Sequence, residues 1–172
     1  MKKQFPSLLL SGMGLLVTSI AVAEESSTAT AIFLNVNGTE IGNATAEETP
    51  SGILLDLSVD GLPEATWVAV HIHENGECDP AGVFDSAGGH FNPDNRSHGY
   101  YSPDGPHAGD LPNQQVQPDG KLRAEIFNHL VTLDDTDNGI RGRALVIHAD
   151  ADDYESQPSG DAGRRIACAV IE

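Results

Sequence analysis

Basic residues are scarce in this chain. Lysine and arginine total 9 against 26 aspartates and glutamates, leaving a formal net charge of −17 over 172 residues. A chain this acidic is repelled by the phosphates of nucleic acids and of anionic membrane surfaces, so neither is an expected partner. Cysteine is nearly absent, with Cys78 and Cys168 the only two. No apolar run is long enough to cross a bilayer. The longest, residues 8–21, is broken by small residues and falls short of the ~20 needed. Helical periodicity is missing too, since no segment of useful length repeats its apolar residues at the spacing of a helix face. There is no internal repeat, low-complexity tract or second domain.

The apolar run has a meaning of its own. It follows Met1, Lys2 and Lys3 and ends in Ala21-Val22-Ala23, a small-residue cleavage pattern. Residues 1–23 therefore read as a secretory leader cut after Ala23, with 24–172 as one domain. No cysteine lies near the cut, so a lipid anchor has no support. The leader contains two lysines and no acid, so its removal makes the remainder still more acidic. Export implies an oxidising compartment, where an even cysteine count signals a disulfide. Two cysteines allow only the Cys78–Cys168 pairing. The bridge would close a loop of about 90 residues, worth roughly 4–5 kcal/mol in the chain-entropy picture.

What the chain does contain is short apolar alternation punctuated by turns. Residues 29–36 end at Asn37-Gly38, a strong hairpin signal. In 53–59, Ile53, Leu55, Leu57 and Val59 share one face. Further runs occupy 67–73, 121–127, 131–133, 141–148 and 166–171. Short strands with turns between them predict an all-β sandwich or barrel. Two long segments, 74–113 and 149–163, break the rhythm. Structureless stretches of that length are functional or disordered, and the histidines of the first argue for an ordered, cross-linked loop.

Those histidines carry the chemistry. In the strand 67–73, Val68, Val70 and Ile72 face the core, while His71 and His73 share the opposite face. Two imidazoles at that spacing can reach one metal ion, although alone the pattern also fits two solvent-facing histidines. His148 ends another strand after Leu145, Val146 and Ile147. Three imidazoles suit copper or zinc. In the first long segment, GGHFNPDNRSHGYYSPDGPHAGD, the residues His98, His107 and Asp110 are one ligand short of a tetrahedral zinc site. His90 is the natural fourth. If His71, His73 and His148 hold a neighbouring ion, His90 can bridge the two through its two ring nitrogens. His129 has no partner in sequence and reads as a surface histidine.

Taken together, HIH, a cysteine, GGHFNP, GPHAGD, VIHADADD and GRRIAC, in that order, resemble the secreted bacterial copper,zinc superoxide dismutases. The motifs run from Trp67 to Glu172, and the N-terminal strands fit by general pattern. The resemblance implies an eight-stranded Greek-key β-barrel with two long functional loops. It implies copper held by His71, His73, His90 and His148, and zinc held by His90, His98, His107 and Asp110. It implies the Cys78–Cys168 disulfide, and Asp152 as the acid linking His71 to His98. Arg165 becomes the anion-binding arginine. The implied reaction is dismutation of superoxide to dioxygen and hydrogen peroxide by Cu(II)/Cu(I) cycling, with zinc positioning His90 and His90 also donating a proton. The implied location is the periplasm, free of the membrane once the leader is cut. A homodimer stays open, since bacterial relatives include monomers and dimers. One departure concerns charge. The family draws in its anion with basic residues, yet 149–163 carries five acids and no lysine or arginine. Positive charge near the site falls to Arg164, Arg165 and Arg96.

Three rival readings make different demands. A non-enzymatic metal-binding module would lack Arg165 or a copper histidine. A copper-only enzyme would lack His98, His107 or Asp110. A structural sandwich with incidental histidines would not hold seven ligands in family order.

Overall fold

The alternating segments become strands because a pleated chain sends successive side chains to opposite faces. The computed structural model describes Met1, 27–134 and 137–172; apart from Met1, the expected leader lies outside the described residues. The strands are β1 Thr28–Asn35, β2 Glu40–Thr49, β3 Gly52–Val59, β4 Trp67–Val68, β5 Val70–His73, β6 Gln114–Gln115, β7 Leu122–Asn128, β8 Ala144–His148 and β9 Arg165–Val170. One 3-10 turn, Asp85–Ala87, interrupts the first long loop.

The main sheet runs in the order β5-β8-β9-β1-β2-β3-β7, and β4 pairs with β6. All these strand pairings are antiparallel. Only Ala69 separates β4 from β5. Its N–H donates to Asp150 O and its carbonyl accepts from His148 N. β4 and β5 are thus two ends of one strand, pairing with β6 at one end and β8 at the other. A bond from Gln117 N to Lys121 O turns β6 back toward β7. Counted this way, eight strands close into a Greek-key barrel, as the family resemblance implies.

The barrel interior collects the inward residues. Ile53, Leu55, Leu57 and Val59 of β3 are buried there with Phe33, Val68, Val70, Ile72, Leu145 and Ile147. A smaller cluster of Phe84, Ala87, Ala144, Val146 and Cys168 lies apart from this core. Ala144 and Val146 alternate with Leu145 and Ile147, so they occupy the other face of β8. Consequently β8 is buried along its whole length, and so is β5. The outward faces of both strands are covered by the long loops.

Three local differences from the sequence reading have physical causes. β2 carries no apolar signal because its inward residues are Ala44 and Ala46, set among polar neighbours. β6 has only two residues, too few to show a period. Residues 131–133 form no strand; Val131 and Leu133 are buried, but the segment is held by one parallel bridge, Thr132 to Gly139.

Cys78 and Cys168 form a disulfide with a Cα–Cα distance of 5.7 Å and a separation of 90 residues. It fastens the first long loop to β9. Reduction removes a constraint on the unfolded chain worth roughly 4 kcal/mol, so the thermal midpoint should fall by about 10 °C or more. A midpoint that ignores reductant would show that the bridge adds no stability.

Candidate metal centre

The free edge of β5 organises the centre. Ile72 N donates to Gly109 O and Ile72 O accepts from Phe91 N, both at 2.8 Å. Gly109 N in turn donates to Phe91 O at 2.9 Å. Two stretches of the first long loop thereby pair with the strand, as isolated bridges between His73 and His90 and between His71 and Asp110. Glycine is required at 109, because a Cβ there would lie 2.2 Å from Ile72 O. On the opposite edge, β8 ends with a register shift between Ile147 and His148, which delivers the third histidine.

Two four-residue clusters result. The ligand atoms of His71, His73, His90 and His148 lie within 4.8 Å of one another, and those of His90, His98, His107 and Asp110 do the same. His90 belongs to both. All seven side chains are buried. The structure thus brings together every histidine of the predicted pair of sites, while His129 is exposed at the end of β7.

Hydrogen bonds set the tautomers. A carbonyl can only accept, so His73 Nδ1 donates to Gly88 O at 3.0 Å and His148 Nδ1 donates to Gly163 O at 3.2 Å. Both Nε2 atoms then bear lone pairs, and they face each other at 3.3 Å. His71 Nε2 donates to Asp152 Oδ2 at 2.9 Å, and His98 Nε2 donates to Asp152 Oδ1 at 3.0 Å. In the neutral ring that leaves the Nδ1 of each with a lone pair. His71 Nδ1, His90 Nε2 and His98 Nδ1 are buried without any hydrogen-bond partner. His98 Nδ1 lies 3.1 Å from Asp110 Oδ2 but is not aligned to bond it. Converging lone pairs repel and orphaned buried nitrogens are costly; a cation between them removes both penalties. Four imidazoles suit copper, and three imidazoles with one carboxylate suit zinc. The residues fit both ions.

The electrostatics separate the two clusters. Burial, with neighbouring histidines, lowers the pKa of His73 well below its usual value, that of His90 to about 4 and that of His148 to about 3. These rings are neutral at pH 7 and present lone pairs. Burial also disfavours charge on His98, but Asp110 and Asp152 outweigh it and raise its pKa to about 9. Asp110 is opposed by burial yet held far below the usual carboxylate range by His107, His90, His98 and Gly99 N–H. Asp152 is lowered likewise, burial being outweighed by His71 and His98. The second cluster therefore holds one ionised acid, Asp110, among its imidazoles, with ionised Asp152 bonded to His98 from outside, matching a divalent cation.

Arg165 opens β9 opposite His148. Its guanidinium donates to Phe84 O and to Gly88 O, the carbonyl that also accepts from His73. Its charge contributes to the lowered pKa of His73 and His148. Arg164 is exposed. Arg96 donates to Gly105 O and lines a cavity of about 400 Å³ with Phe127 and His129; no histidine of the first cluster lines that cavity.

Two contributors escape the sequence reading. Tyr100 donates its hydroxyl to Asp110 O at 2.9 Å. Gly160 sits where a Cβ would lie 1.8 Å from Asp152 Oδ1 and 2.6 Å from His98 Nε2. Nothing local in the sequence marks either one.

With this geometry in view, likeness to known proteins is informative. The copper/zinc superoxide dismutase (SODC) family model matches residues 40–171. Superoxide dismutase [Cu-Zn] 2 of Aquifex aeolicus is 48% identical over 80% of this chain and 82% of its own length. The Cu/Zn superoxide dismutase structure from Brucella abortus aligns with a TM-score of 0.70 at 31% identity, covering 85% of this chain and 100% of that one. A SOD-like protein from Bacillus subtilis aligns at 0.78 and 36%, covering 81% of this chain and 95% of its own.

Gly160→Ala should push Asp152 off His98. Loss of such an outer hydrogen bond costs about 10–100-fold in metal affinity. Competition with a chromophoric chelator measures it, and an unchanged zinc affinity would show that the Asp152 contact is dispensable.

Proposed function

The chain belongs to the copper/zinc superoxide dismutase family of metal-dependent oxidoreductases, and from that premise we propose how its own residues divide the work. His71, His73, His90 and His148 hold copper. His90, His98, His107 and Asp110 hold zinc. The observation that carries this assignment is the shared His90, whose Nδ1 lies 2.8 Å from Asp110 Oδ1 while its buried Nε2 has no protein partner. One ring thus faces both clusters.

Copper supplies one-electron chemistry by alternating between Cu(II) and Cu(I), whereas zinc has no accessible redox state. The protein supplies substrate binding, orientation and protons. Arg165 is anchored through two carbonyls, which leaves its charge beside the first cluster to hold the superoxide anion. His90 Nε2 is the atom that takes up a proton and passes it to the reduced substrate. Asp110 and the second cluster hold the ring so that the proton moves at one defined place. Asp152 fixes His71 and His98 in single tautomers.

We also assign residues 1–23 to a cleaved leader and 24–172 to the working domain. The Cys78–Cys168 bridge and the acidic, well-solvated composition support a periplasmic enzyme that removes superoxide outside the cytoplasm. Anion delivery in so acidic a chain needs local positive charge. Arg164 is exposed, next to Arg165, and has no acidic partner among the described residues. It is the residue suited to steer the anion toward Arg165.

Protein reconstituted with both metals should consume superoxide, and His148→Ala should lower that rate by about 100-fold or more, since a lost ligand costs at least as much as a lost outer contact. Full activity in copper-free protein would overturn the reading. Arg164→Ser should lower kcat/KM by about two- to fivefold at low salt and flatten its ionic-strength dependence. An unchanged rate and salt slope would sink the steering role.

A further inference from the structure

The two long loops meet through two side-chain amides, each reaching across to the backbone of the other loop. Asn113, which closes the first loop three residues after Asp110, accepts from Asp152 N through Oδ1 and donates to Asp152 O through Nδ2, both at 2.8 Å. Gln157, in the second loop, accepts from His98 N through Oε1 and donates to His98 O through Nε2, both at 2.9 Å. Each amide satisfies the N–H and C=O of one residue together, as a strand neighbour would. Such a pair of bonds fixes the position and rotation of the backbone it grips, and hence the direction of its Cα–Cβ bond. The two gripped residues are the ones whose side chains meet, His98 Nε2 to Asp152 Oδ1. Neither lies in a strand.

We propose that Asn113 and Gln157 are positioning residues that set the metal clusters from opposite loops, with unequal reach. Gln157 acts on His98, which belongs to the second cluster alone. Asn113 acts on Asp152, which bonds His71 as well as His98, and so reaches both clusters. Tyr154 reinforces this second link, since its hydroxyl accepts from Asn113 N at 2.6 Å and its own N–H donates to Asp152 Oδ1 at 2.6 Å. This inference rests on the ligand assignment proposed above.

The test uses pairs of variants that separate gripping from packing. Gln157→Ala and Asn113→Ala remove the side chain, whereas Gln157→Met and Asn113→Leu keep most of its volume and lose the amide. Zinc titrated against a chromophoric chelator in copper-free protein should bind about tenfold more weakly in all four. With zinc in place, the Cu(II) electron paramagnetic resonance spectrum should change for Asn113→Leu and stay as in the unaltered protein for Gln157→Met. Wild-type zinc affinity in Gln157→Met and Asn113→Leu would overturn the proposal, because packing alone would then suffice. A copper spectrum equally altered in both would overturn the unequal reach. If the unaltered protein itself binds neither ion in these clusters, the ligand assignment fails, and that outcome is distinct from the other two.

Discussion

The backbone of one residue, Ile72, holds the metal centre together. Its side chain points into the barrel, while its N–H and carbonyl bind Gly109 and Phe91 of the loop that wraps the outside. A strand edge has unpaired donors and acceptors, and pairing it with a loop satisfies them as another strand would. The neighbouring residues on each side, His71 and His73, then face His90 and Asp110. Had the loop stood free, these histidines would lie on a solvated sheet face, as two-residue alternation alone allows. Because the loop is stitched to Ile72, they are buried and converge.

Burial then decides the chemistry. Desolvation keeps His73, His90 and His148 neutral at physiological pH, which is the form that binds a metal. In the second cluster two carboxylates reverse that tendency around His98. The same chain thus builds a site of four imidazole nitrogens next to a site carrying negative charge, and one imidazole spans both. The disulfide ties the first loop to β9, and Asp152 ties the second loop to His71 and His98.

Much of this was legible in advance. Ile53, Leu55, Leu57 and Val59 announced a strand with one buried face, and all four are in the core. The HIH pattern announced two imidazoles opposite an apolar face, which is how β5 lies. β2 was not legible, because Ala44 and Ala46 are too small to stand out although they pack well inside a tight barrel. Val131 and Leu133 misled in the other direction; their apolar character serves burial in an irregular segment. The split of residues 67–73 at Ala69 has no sequence mark, since it follows from which neighbours the two ends meet.

The sequence by itself determined the all-β class, the only available disulfide pairing and the residue types on hand for metal binding. Alternation, cysteine number and side-chain chemistry are local properties, and they need no knowledge of neighbours. Tertiary structure alone decided the rest. It set which nitrogen of His73 and of His148 is bare, through carbonyls at Gly88 and Gly163 that no spacing rule points to. It required glycine at 160, where Asp152 and His98 crowd the backbone. It also joined the loops through Asn113 and Gln157, two polar residues that look ordinary in sequence. Hydrogen-bond partners distant in the chain are fixed by closure of the barrel, and that information exists only once the chain has folded.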